Sequence, residues 1–183
     1  MTRRIPRVYG RGMGGVVEYD ERWAEWFEQI RAAIPPGLVV EHVGSTAVPG
    51  LVAKPIIDVD VVVQTKREVA PAIDALAIAG WRHRGNQGID GREAFDALRG
   101  LPPHHLYLVV EGSLPHRDHV DLRNRLREHP IDAARYGELK LELAPLLDTD
   151  RDAYLEGKAA LITELLAAAR AHPQLANGQA AED

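Results

Sequence analysis

Asp58 and Asp60 stand one residue apart inside IIDVDVVV, residues 56–63, the most strand-like stretch of the chain. Aspartate is a poor strand former, so two of them there call for a reason. Strand side chains alternate, which puts both acids on one face and Val59, Val61 and Val63 on the other. Two strand rises separate the aspartate Cα atoms by about 6.7 Å, and the carboxylates can lean to within about 5 Å. At an effective dielectric near 20, such charges repel by about 3 kcal/mol. Strand formation repays none of this, whereas a divalent cation between the acids reverses its sign. Hard oxygen ligands in a chain without cysteine suit Mg²⁺ or Mn²⁺. A half-exposed strand with an acidic polar face is the competing reading.

The preceding residues, EHVGSTAVPG, shift the balance toward chemistry. Gly44 allows close approach of backbone to a ligand, and Ser45 offers a hydroxyl and an N–H. Successive N–H groups in such a turn can cradle phosphate oxygens. A phosphate grip one strand away from a dicarboxylate metal clamp is the layout of phosphoryl or nucleotidyl transfer.

These residues need a scaffold. Asp20 is a candidate N-cap, followed by Trp23, Trp26, Phe27, Ile30 and Ile34 at helical spacing, and Pro35-Pro36 ends that helix. Residues 38–43 and 56–63 read as strands. Thr65 and Glu68 form a capping box before an apolar stripe through Val69, Ile73, Leu76 and Ala77, closed by Gly80. Strand-like pieces follow near 81–84, 92–97 and 105–110, then helices near 116–129, 132–145 and 151–170. This order predicts an α+β sheet backed by helices. Residues 1–17 read as a flexible arm, 18–170 as one domain and 171–183 as a flexible tail. No apolar run approaches the roughly 18 residues of a membrane span, so no membrane partner and a cytoplasmic location are expected. The net charge of −5 argues against bulk electrostatic attraction to nucleic acid, though not against a small basic pocket.

The stretch EHVGSTAVPGLVAKPIIDVDVVV closely resembles the signature of the GrpB (UPF0157) family, which is grouped with the nucleotidyltransferases of the DNA polymerase β type. The resemblance runs from about Tyr19 to about Ala168 and includes YDERWAEWF, GREAF and HHLYLVV. It implies a nucleotidyltransferase-like fold: a mixed, mainly antiparallel sheet, helices packed on one face of it, and a helical C-terminal region. Gly44, Ser45, Asp58 and Asp60 match the superfamily's Gly-Ser and Asp-x-Asp. The implied function is metal-dependent transfer of a nucleotidyl group from a nucleoside triphosphate to an unidentified acceptor. The alternative is a non-catalytic module of the same fold that binds a nucleotide or another phosphate-containing small molecule.

The chain departs from that pattern at the third carboxylate of active members. The strand that should supply it, 105–110, begins with His104-His105, and Tyr107 stands where related sequences tend to have histidine. Glu111 and Asp121 fall outside the expected position. His105 is the candidate replacement, as metal ligand or base, and its ring is expected within about 6 Å of an Asp58 or Asp60 carboxylate. Lys54, at the strand entrance, is a candidate to neutralise a triphosphate. Arg92, in GREAF, is a candidate phosphate or carboxylate clamp. Arg123 is a candidate to reach phosphate from the helical side, against the plainer reading of a solvated face. His42 reads as a structural histidine. Lys140, Tyr154 and Lys158 fit the family pattern without an assigned place.

Overall fold

The computed structural model describes residues 15–171. Helix α1 (Arg22–Ala32) precedes strands β1 (Val39–Val43) and β2 (Ile57–Val63). Helix α2 (Val69–Ile78), strands β3 (Arg92–Phe95) and β4 (His104–Val110), and helices α3 (Leu114–Glu128), α4 (Pro130–Leu143) and α5 (Arg151–Ala171) follow. The strands form one sheet in the order β1-β2-β4-β3. β1 runs antiparallel to β2 and β3 antiparallel to β4, while the central pair β2–β4 is parallel. The sheet is thus mixed and mainly antiparallel, as expected, within an α+β architecture.

Alternation divides the sheet into two chemically different faces. Ile57, Val59, Val61 and Val63 of β2 join Leu106 and Leu108 of β4 against Trp23 and Ile30 of α1 and Leu76 of α2, all of them buried. Trp81 seals the edge, its indole N–H donating to the Ala33 carbonyl at 3.3 Å. The opposite face carries Glu41, Asp58, Asp60, His105 and Tyr107, aligned by the register Glu41↔Asp60, Asp58↔His105 and Asp60↔Tyr107. Helices cover this face too, which corrects the one-sided layering expected from sequence. Its charges need polar partners, and α3 supplies them through His119 and Arg123.

Local signals behave as their chemistry dictates. The Asp20 carboxylate accepts the Arg22 N–H at 2.9 Å. Glu68 accepts from the Gln64 N–H (2.9 Å) and from the Thr65 hydroxyl (3.1 Å), a capping box displaced by one residue. Gly80 leaves α2 at φ 97°. Residues 81–84 do not form a full strand and contribute a single bridge, His83 to Phe95. The expected arm also ends earlier than residue 17. Val16 is buried with Ala144 and Tyr154, and Val17 exchanges 2.8 and 2.9 Å backbone hydrogen bonds with Ala53. Ala171 closes α5, and the remainder of the expected arm and tail, 1–14 and 172–183, lies outside the described residues. Among the described residues no helix is long and apolar enough to cross a membrane.

Candidate functional site

Gly44 leaves β1 at φ 70° and ψ −170°, a conformation that strongly favours glycine. A Cβ on it would lie 2.3 Å from Asp58 Oδ2. The close approach anticipated for a ligand is therefore already used by the protein's own carboxylate. A short 3₁₀ turn, Ser45–Ala47, follows. Helix α3 clamps this turn: Arg127 donates twice to the Ala47 carbonyl (2.8 and 2.6 Å), and Arg123 donates to the His42 carbonyl (3.1 Å).

Asp58 and Asp60 each hold an imidazole. His105 Nδ1 donates to Asp58 Oδ1 at 2.9 Å, inside the expected range of about 6 Å, and both side chains are partly exposed. His119 Nδ1 donates to Asp60 Oδ2 at 2.8 Å, and Asp60 is completely buried. The other oxygen of Asp60, Oδ1, is buried without a hydrogen-bond partner. Burial by itself would lower the His119 pKa. The hydrogen bond to Asp60 and the charges of Asp60 and Asp58 outweigh it, and the net shift is upward.

Beside Asp58 lies a cavity of about 220 Å³. Ser45, Lys54 and His105 line it, joined by Lys140 of α4 and by Arg151 and Lys158 of α5. Four basic side chains thus surround one carboxylate. Burial lowers the pKa of Lys54, with Arg151 adding to the effect, and of Lys158, with Lys54 adding to it. Lys140 is buried and is pushed down to about 7, by desolvation and then by Lys158. Its ammonium donates to the Val52 carbonyl. Tyr136 and Tyr154 pack their rings against Lys140 and Lys158, at 4.7 and 4.3 Å.

The remaining candidates lie elsewhere. Arg92 stacks on Tyr107, with its guanidinium carbon 4.4 Å from the ring centroid, and lines a separate cavity near Asp60. Arg123 is engaged by Glu41 at 3.3 Å and by the His42 carbonyl, and does not line the Asp58 cavity. His42 faces the apolar core, stacked on Phe27 and bonded to Thr46 Oγ1 at 3.0 Å. Desolvation lowers it to about 4. His104 is buried between the Pro102 carbonyl and the Leu98 N–H.

Two acidic partnerships escaped the sequence reading. His119 lies mid-helix, where only docking of α3 reveals its direction. Glu41 does not lie on a later strand but stands opposite Asp60 on β1 and is held by Arg123. Antiparallel pairing of residues 38–43 with 56–63 was the signal for it. Among the described residues no three histidine or carboxylate groups converge as a metal-binding cluster.

Fold and site together define an α+β protein with a Gly-Ser turn locked over a strand-borne Asp-x-Asp pair and a basic cavity alongside. Residues 15–168 match the family described as GrpB protein, and the chain belongs to that family. It is 38% identical to the UPF0157 protein PA4798 of Pseudomonas aeruginosa, over 89% of this chain and 72% of that relative. It is 30% identical to the UPF0157 protein YqkA of Bacillus subtilis, over 82% of this chain but only 46% of that longer relative. Among solved structures it is similar to the conserved protein GrpB from Enterococcus faecalis. The TM-score is 0.71 and the identity 32%, covering 84% of this chain and 96% of that one.

Proposed function

We propose that the protein binds a nucleoside triphosphate through its phosphates in the cavity beside Asp58, in a site built for divalent-metal-dependent nucleotidyl transfer to a small acceptor. The observation that carries this reading is the gathering of Lys54, Lys140, Arg151 and Lys158 around one carboxylate. Burial first, and repulsion from a basic neighbour second, lower the three lysine pKa values, and a bound polyanion favours the charged form of each. Ser45 adds a hydroxyl on the same wall.

Asp58 and Asp60 fit a Mg²⁺ or Mn²⁺ ion in donor type, and the unpartnered Oδ1 of buried Asp60 is an oxygen in want of a positive neighbour. Bound there, the ion would neutralise charge on the phosphates and on departing pyrophosphate. The lysines orient the triphosphate and hold the leaving group. In transfer, an acceptor oxygen or nitrogen bonds to the α-phosphorus, the bond to pyrophosphate breaks, and the acceptor loses a proton. His105 Nε2 is available to take that proton, with Asp58 fixing the ring through Nδ1.

A second reading, a binding module without turnover, has its own support. Both aspartates are already hydrogen-bonded to histidines, and the residue across from Asp60 on β4 is Tyr107, not an acid. Thermal-shift titration of the four nucleoside triphosphates with Mn²⁺ tests binding, since a ligand at 100 times its Kd adds about 2.7 kcal/mol of stability. Stabilisation that is lost in a Lys54→Gln, Lys158→Gln double variant is expected. No stabilisation by any of the four defeats the binding reading. Stabilisation without pyrophosphate release, across a panel of hydroxyl and amine acceptors, favours the module.

A further inference from the structure

A second cavity, of about 590 Å³, opens at the other end of the same sheet face. Its walls include Arg92 of β3, Ser113 at the start of α3, and His119. Five strand rises along β4 separate the His105 end from the Val110 end, about 16 Å. Tyr107 lies between them beside Asp60. The basic cavity therefore meets Asp58, and this cavity meets Asp60 through His119.

Three observations point to a ligand here. Arg92 has no ion-pair or hydrogen-bond partner among the described residues, although Asp90 and Glu111 line the same cavity. Its Nε is buried and unpartnered, and its guanidinium carbon lies over Tyr107, 4.4 Å from the ring centroid. Ser113 Oγ is likewise buried without a partner and makes no cap bond to α3. A fixed guanidinium fork with no carboxylate to meet suits a planar or tetrahedral oxyanion. The acids on the same walls offer acceptors for hydroxyl or ammonium groups, and Asp118 among them is already engaged by Arg170.

We propose that this cavity is the acceptor subsite. It takes a small molecule that carries an oxyanion group, carboxylate or phosphate, as well as the hydroxyl or amine that is modified. Arg92 anchors the oxyanion, and the reacting group extends past Tyr107 toward Asp58 and His105. The acceptor role rests on the nucleotide reading above, whereas oxyanion binding at Arg92 stands on its own geometry. Arg92 is thereby separated from the nucleotide phosphates and given a different ligand.

The side-chain Nε–Hε resonance of Arg92, assigned by its loss in Arg92→Gln, reports on this cavity alone. Inorganic phosphate and succinate, titrated separately to millimolar concentration, serve as probes. Their two arms distinguish phosphate from carboxylate recognition. The expected result is a saturable shift of that resonance with at least one probe, persisting in the Lys54→Gln, Lys158→Gln double variant. Ser113→Ala should weaken it by about tenfold, equivalent to about 1.4 kcal/mol. An Arg92 resonance unmoved by both probes overturns the proposal, whether or not triphosphates stabilise the protein. So does a shift that disappears with the lysines, since the anion then binds only in the basic cavity.

Discussion

Phosphate binding beside Lys140 should be a proton-uptake reaction. The lysine's pKa of about 7 in the folded protein leaves the amine about nine-tenths neutral at pH 8. One phosphate charge about 4 Å from the ammonium, at an effective dielectric near 20, favours the charged form by about 4 kcal/mol. That equals about three pKa units, which puts the bound lysine near pH 10. Binding at pH 8 should therefore take up about 0.9 proton at this residue, and affinity should fall roughly tenfold per pH unit above 7. Lys54 and Lys158, lowered in the same direction, can only add to the uptake. Calorimetry of a nucleoside triphosphate with Mn²⁺ in two buffers of different ionisation enthalpy measures it directly. A triphosphate carries no titrating proton at pH 8, and Lys140→Met identifies the residue. Uptake near zero, or uptake unchanged in Lys140→Met, would refute the reasoning. The ligand-free protein gives an independent sign check. Between pH 7 and the usual lysine value of 10.5 the unfolded chain holds a proton here that the native chain does not. Stability should rise with pH through that window, by at most about 1.4 kcal/mol per unit from this group.

Gly44→Ala should destabilise the fold by at least about 1–2 kcal/mol from backbone strain alone, with the clash against Asp58 Oδ2 added. A double-mutant cycle with Asp58→Ala should show part of that loss recovered, and strict additivity in chemical denaturation would remove the steric explanation. His119→Ala leaves a buried Asp60 with neither oxygen paired, and a cost of about 3–5 kcal/mol is expected in urea unfolding at pH 7. Asp60→Asn should abolish Mn²⁺ binding by calorimetry while the folded state persists, and unchanged Mn²⁺ affinity would end the metal assignment.

The strands and helices were legible because each signal was local. Alternation in residues 56–63 needs no knowledge of the rest of the chain, nor does the Thr65–Glu68 cap. Asp58 and Asp60 shared a face for the same reason. What could not be read required docking. The parallel β2–β4 pairing joins segments separated by α2 and β3, and its register decides that His105 meets Asp58. His119, Lys140, Arg151 and Lys158 sit on helices whose rotation is set by packing, so helical spacing alone names no target for them. Arg123 shows the converse: a charge read from sequence as a phosphate ligand that the fold engages with Glu41. Val16 and Val17 looked like part of a flexible arm because their partners are distant in sequence: Ala144 and Tyr154 for Val16, and the bridge to Ala53 for Val17.

Helix α5 brings Arg151, Tyr154 and Lys158 to the basic cavity, and near its other end Arg170 grips Asp118 and Asp121 of α3. In synthesis, the aspartates, the Gly-Ser turn and His105 all emerge well before this helix does. A growing chain therefore carries Lys54 and the acids of the site before Lys140, Arg151 and Lys158. The cavity acquires Arg151 and Lys158, half of its four cations, only when α5 docks. A polyanion that binds the completed cavity must favour the docked helix by the same free energy with which the docked helix favours the polyanion. Occupancy of the cavity by such a ligand and docking of α5 would then be a single equilibrium, so that the ligand would fasten α5 to the rest of the fold.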